Sequence, residues 1–130
     1  GKLDDLTPLK TLTQIESLRI SMTLVRDLSP LAGLKKLDRL DLGRTPVSDL
    51  SPLVGLANLT ELQIDETEVT DLTPLSKLSK LEVLLMKRTR ISDVSPLHDL
   101  THLKHLYIEG SLVRDLTPVR SIPGLKVHEG

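Results

Sequence analysis

Apolar side chains return along this chain at one fixed set of spacings. From Leu37 to Asn58, LDRLDLGRTPVSDLSPLVGLAN, leucine or valine stands at positions 37, 40, 42, 47, 50, 53 and 56. The same set recurs from Leu59, Leu81 and Leu103 and precedes itself from Ile15, each step being 22 residues. The template reads L-x-x-L-x-[LI]-x-x-T-x-V-x-D-L-[ST]-P-L-x-x-L-x-x, with conservative replacements such as Met86, Val94 and Val119. In each unit a stretch such as Leu40-Asp41-Leu42 alternates with period two, the mark of a strand. Arg39, Asp41 and Gly43 then point away from the core. Ser51-Pro52 predicts a helix start, the hydroxyl capping free N–H groups and Pro suiting the first helical position. Only about one turn fits before the next strand, which predicts 3₁₀ geometry. Leu53 and Leu56, three apart, face that turn towards the sheet.

No single unit can hide such a face, so neighbouring units must stack and bury one continuous core. The predicted fold is α/β: a right-handed solenoid of strands and 3₁₀ turns, with one parallel sheet on the concave side. Strands would lie about 4.8 Å apart. The whole of 1–130 reads as one domain: a half repeat 1–14, full repeats 15–36, 37–58, 59–80, 81–102 and 103–124, and a terminal stub 125–130. In that register His128 takes a slot that every earlier unit gives to leucine, as if the array were closing. At the other end Leu6, Leu9 and Leu12 would leave aliphatic core open towards Gly1. Terminal repeats need a polar outer face, so this end predicts a longer parent chain or self-association through it.

The run L-x-x-L-x-L together with D-L-[ST]-P-L, as at Asp27–Leu31, Asp71–Leu75 and Asp93–Leu97, resembles the 22-residue class of leucine-rich repeats. Bacterial internalins and a regulatory subunit of a protein phosphatase are of that class. The resemblance covers almost the entire chain and implies the leucine-rich-repeat solenoid and a protein-binding concave sheet. One departure is systematic. The family places Asn after the strand, whereas this chain has Thr23, Thr45, Thr67, Thr89 and Ser111. A hydroxyl has one donor where an amide has two, so the implied hydrogen-bonded ladder should be thinner.

Composition narrows the function. The formal net charge is −1, and one Tyr stands without Phe or Trp. That lacks the basic excess and stacking aromatics of nucleic-acid binders. No stretch approaches the roughly 20 apolar residues that span a bilayer, and no secretory signal opens the chain. The absence of cysteine rules out a disulfide framework. It leans the expected location towards a bacterial cytoplasm, or a secreted or surface one if a signal has been trimmed.

Three constellations invite chemistry. Asp5, Asp27, Asp49, Asp71, Asp93 and Asp115 form a row, but calcium needs about six to eight oxygens per ion and no second acidic row accompanies them. Each Asp is better placed to accept N–H groups of its own turn. His98, His102 and His105 should diverge onto the convex turn, a loop and the sheet, so a zinc site with converging ligands is not expected. Glu61, Asp65 and Glu66 lie in one repeat, yet no nucleophile, base and orienter can meet. No metal, cofactor or catalytic residue is expected, and the chain is not expected to be an enzyme.

The informative positions are those that the template leaves free. Val83, Leu85, His105 and Tyr107 would stand together on the outward face of the last two full strands, with Lys87, Arg88 and Glu109 as a charged rim. A cluster holding the only aromatic residue makes these seven the candidate partner-binding residues. The expected function is a non-enzymatic module that binds another protein through the concave sheet. The alternative is a structural or sensing segment of a larger multidomain signalling protein whose chemistry lies elsewhere.

Overall fold

A computed structural model describes residues 4–130. Leu3, assigned above to the opening half unit, lies outside the described residues. Six three-residue strands alternate with six 3₁₀ turns: η1 (Thr7–Leu9), β1 (Ser17–Arg19), η2 (Ser29–Leu31), β2 (Arg39–Asp41), η3 (Ser51–Leu53), β3 (Glu61–Gln63), η4 (Thr73–Leu75), β4 (Val83–Leu85), η5 (Ser95–Leu97), β5 (His105–Tyr107), η6 (Thr117–Val119) and β6 (Lys126–His128). The strands form one parallel sheet in the order β1-β2-β3-β4-β5-β6. Registers such as Leu40↔Leu62 and Leu62↔Leu84 put the same template position of successive coils side by side. This is an open leucine-rich-repeat solenoid, with the strands on one side and the 3₁₀ turns on the other.

The core follows the template. All seven apolar positions are buried in the coils 37–58, 59–80 and 81–102. Departures occur only in the outer coils, where Ile15, Leu18, Val113 and Leu116 are half-buried. Leu6 is buried beneath the second coil, while Leu12 is 45% exposed.

The turn chemistry differs from the expected Ser/Thr cap. The residue before each 3₁₀ turn is Leu or Val, and it makes no side-chain cap bond. The acceptor is instead the Asp two residues ahead of the Ser or Thr. Asp27, Asp49, Asp71, Asp93 and Asp115 each receive the N–H of Ser29, Ser51, Thr73, Ser95 and Thr117 at 2.9 Å. Asp5 does the same for Thr7. Ser and Thr therefore act through their backbone N–H as the first residue of the turn, just before Pro. The acidic row is a row of turn acceptors.

The hydroxyl row after the strands is local, and buried at Thr45, Thr67 and Thr89. Thr23, Thr45, Thr67 and Thr89 donate to the carbonyls of Ile20, Leu42, Ile64 and Met86, three residues back in their own coils. The ladder that the resemblance implied between coils is thus replaced, at these hydroxyls, by bonds within each coil. The coils are joined instead by packing, the strand ladder and other side chains, such as Asn58 donating to the Lys35 carbonyl and Asp65 accepting the Lys87 N–H.

Register breaks once. In four coils two successive N–H groups share one carbonyl of the coil before. Asp38 and Arg39 bond Glu16, Thr60 and Glu61 bond Asp38, Glu82 and Val83 bond Thr60, and Lys104 and His105 bond Glu82. One carbonyl thus accepts two donors at the start of each of these strands. At β6 only Lys126 bonds the carbonyl of Lys104, and Leu106 pairs with Val127. The last step is therefore 21 residues, because L-x-L replaces L-x-x-L. Val127 fills the inward slot, and the expectation that His128 occupies a leucine position is corrected. His128 pairs with Tyr107 and stands on the outward face.

Candidate functional site

The outward face of β4–β6 gathers the predicted residues. Val83 pairs with His105 and Leu85 with Tyr107, so the four lie as neighbours on two adjacent strands. All four are half-buried rather than open. Lys87, Arg88 and Glu109 follow at the C-terminal ends of β4 and β5, with Arg88 exposed and the other two half-buried. Sequence reasoning missed the neighbour that completes the group. His128, turned outward by the shortened coil, stacks on Tyr107 with ring centroids 4.1 Å apart and planes 8° from parallel. Lys87 approaches the Tyr107 ring from the β4 side, its Nζ 5.8 Å from the centroid. Tyr107 is therefore flanked by a cation and an imidazole from the two adjacent strands. His105 Nδ1 lies 3.0 Å from His128 Nε2 and shares a hydrogen bond with it. The signal that could have found His128 is a residue count: Leu125 and Val127 stand two apart, where Leu103 and Leu106 and the matching pairs of earlier coils stand three apart.

His98 and His102 take no part in this group. His98 ends η5 beside Asp99, at 3.2 Å, and His102 is exposed in the following loop.

Beside the aromatic group lies a shallow concavity of about 400 Å³, lined among others by Asp41, Asp65, Glu66, Lys87, Arg88 and Glu109. It overlaps the predicted rim at Lys87, Arg88 and Glu109 and extends it to β2 and β3. The turn after each strand explains its edge. Met22, Arg44, Glu66 and Arg88 hold positive φ values of 59°, 57°, 55° and 56°, and Gly110 one of 72°. This left-handed conformation is unfavourable for residues with a Cβ, yet it recurs at one position of four successive coils. It projects their side chains as a row. Along that row Arg44 and Arg88 grip Glu66 from both sides, at 2.6 and 3.2 Å. The Arg44 hydrogen bond first, and Arg88 second, hold the Glu66 carboxyl below the ordinary value.

Most carboxylates in the concavity are already engaged. Asp65 accepts the Lys87 N–H at 2.6 Å and the Gln63 amide at 3.0 Å. Asp41 accepts the Gly43 N–H at 2.9 Å. Glu109 is different: its Oε1 is shielded from solvent without a hydrogen-bond partner. Such an atom is rare in a folded protein. The arrangement offers an apolar and aromatic patch, a mixed-charge border and one unsatisfied carboxylate oxygen.

A family model described as Leucine Rich repeats (2 copies) matches residues 79–121. Among curated proteins no match is found. Among solved structures, internalin C2 of Listeria monocytogenes is similar over 98% of this chain and 57% of its own, with 36% identity and a TM-score of 0.95. An internalin (inlF) of the same organism is similar over 99% of this chain and 52% of its own, with 24% identity and a TM-score of 0.72. The functional domain of InlJ from Listeria monocytogenes, described as including a cysteine ladder, shares the fold at 21% identity and a TM-score of 0.79, over 98% of this chain and 27% of its own. This chain carries no cysteine. It spans little more than half the length of the two internalins it matches first. The repeat, the sheet order and these likenesses together make the chain a leucine-rich-repeat protein of the internalin-like kind.

Proposed function

We propose that the chain is a non-catalytic protein-interaction module that receives a protein partner on the outward face of β4–β6. The observation that carries this reading is the grouping of Val83, Leu85, His105 and Tyr107 on adjacent strands, bordered by Lys87, Arg88 and Glu109. Interfaces favour this plan of an apolar and aromatic centre within a polar rim. Leucine-rich-repeat domains are in general protein-binding modules, which supports the same reading by analogy of fold. Tyr is enriched among interface hot spots, where truncation costs about 2 kcal/mol or more.

The test compares the wild-type chain with Tyr107→Ala combined with Leu85→Ser, and with Lys77→Ala on the opposite side as control. Thermal melts establish that all three fold. Proteins retained by the wild type and the Lys77 variant should be lost, or bound at least about tenfold more weakly, by the double variant. Undiminished binding by a folded double variant removes this face from the site.

A further inference from the structure

We propose that His105 and His128 form a two-imidazole chelating site for a divalent transition-metal ion. This goes beyond partner recognition and does not depend on it. The two nitrogens stand 3.0 Å apart on adjacent strands. Two nitrogen ligands with metal bonds of about 2.0–2.1 Å are separated by roughly 3.0–3.4 Å around one ion. An ion bound to both nitrogens at those lengths would sit about 1.4 Å to one side of the line joining them, with the rings turned from their shared hydrogen bond to face it. A metal ion needs both imidazoles neutral.

The surroundings hold the rings in place and leave coordination positions open. Tyr107 stacks on His128 at 4.1 Å and lies 6.2 Å from His105, centroid to centroid. The pairing Leu106↔Val127 fixes the strands beneath. No set of three or more His, Asp or Glu side chains converges for a metal among the described residues. The site thus has two protein ligands, and solvent or a second molecule completes the shell. Imidazole donors select borderline metals, with Ni²⁺ and Cu²⁺ ahead of Zn²⁺ in most sites, and do not suit Mg²⁺. Position in sequence concealed the pair. The 22-residue template puts His105 on the outward face but His128 in the core, so only the shortened last coil brings the two together.

The chain carries its own reporter. Tyr107 is the only Tyr, there is no Trp, and its ring stacks on one of the proposed ligands. Titrating the full chain with Ni²⁺ should quench Tyr fluorescence with saturation at one ion per chain, whereas Mg²⁺ should leave it unchanged. His105→Gln and His128→Gln, each verified as folded by circular dichroism, should weaken Ni²⁺ binding roughly 100-fold, since each removes one arm of a chelate. The combined variant His98→Gln and His102→Gln should titrate as wild type. Absence of saturable quenching in the wild type overturns the proposal. So does wild-type affinity in either single variant, or loss of binding on changing His98 and His102.

Discussion

At the scale of single residues, the post-strand turn and the acidic turn are the two devices repeated along the chain, and each can be tested alone. Gly110 occupies the left-handed position with φ 72°, where a Cβ would lie 3.0 Å from Arg88 Cγ and 3.5 Å from Arg88 Cα. Gly110→Ala should therefore destabilise the fold by about 1–2 kcal/mol, the ordinary cost of a Cβ in this conformation. Met22, at the equivalent position with φ 59°, is 70% exposed. Met22→Gly should be neutral or slightly stabilising, because relief of strain offsets added freedom in the unfolded chain. Urea melts of both variants check the contrast, and equal destabilisation would contradict it. The acidic turns predict a pH dependence. At Asp71 the Thr73 hydroxyl first, and the Thr73 N–H second, hold the carboxyl below its ordinary 3.8. Asp5, Asp27, Asp93 and Asp115 are lowered by the same kind of bond. A folded-state value below the unfolded one gives stability that is complete above the unfolded value and lost as pH falls through the folded one. Melting temperature should thus begin to drop as pH falls towards 3.8 and drop further below it. Asp71→Asn, which keeps an acceptor that cannot be protonated, should show a shallower acid limb, and an unchanged limb would remove this turn from the acid response.

At the scale of elements, the last strand separates what could be read from the chain and what could not. Periodicity was sufficient for β1–β5 and for every 3₁₀ turn, because seven apolar positions per coil leave no competing register. It failed at β6, where the one residue missing between Leu125 and Val127 reverses which side chain points inward. That reversal is a backbone event: Lys126 alone takes the carbonyl that two N–H groups share in the coils before. The site inherited the error. Val83, Leu85, His105 and Tyr107 were legible because template positions fix strand faces, whereas His128 required knowledge of the pairing. The cap was misread for a similar reason. Ser or Thr before Pro fits a hydroxyl cap, but the N–H groups it would serve bond carbonyls of the turn itself, as Leu53 does to Leu50 and Val54 to Ser51, while the charged Asp two residues earlier takes the N–H of the Ser or Thr. A direct test of the β6 register is to compare Val127→Asp with His128→Ser. Val127→Asp places a charge on the half-buried inner side and should cost about 1–3 kcal/mol. His128→Ser, on the outer side, should cost clearly less. The reverse order in denaturant melts would restore the 22-residue register.

At the scale of the whole molecule, contacts between elements join only successive strands and successive 3₁₀ turns. No element reaches past its neighbour, so stability is close to a sum of coils and the interfaces between them. The inner coils bury every template position, while the outer ones leave Leu9, Ile15, Leu18, Val113 and Leu116 only partly covered. Burial graded in this way predicts graded opening, since segments with few buried apolar contacts open at lower free energy. Amide hydrogen exchange should accordingly be slowest across β2–β5, faster at β1 and β6, and fastest around η1, where Leu12 is 45% exposed. A perturbation at the centre should spread by steps. Leu62, fully buried in β3, should cost roughly 2–5 kcal/mol when changed to Ala. Protection should then fall most in the coils of β2, β3 and β4, and less towards either end. Equal loss of protection at every amide would mean that the array opens as one cooperative unit, and the nearest-neighbour account of its stability would have to be given up.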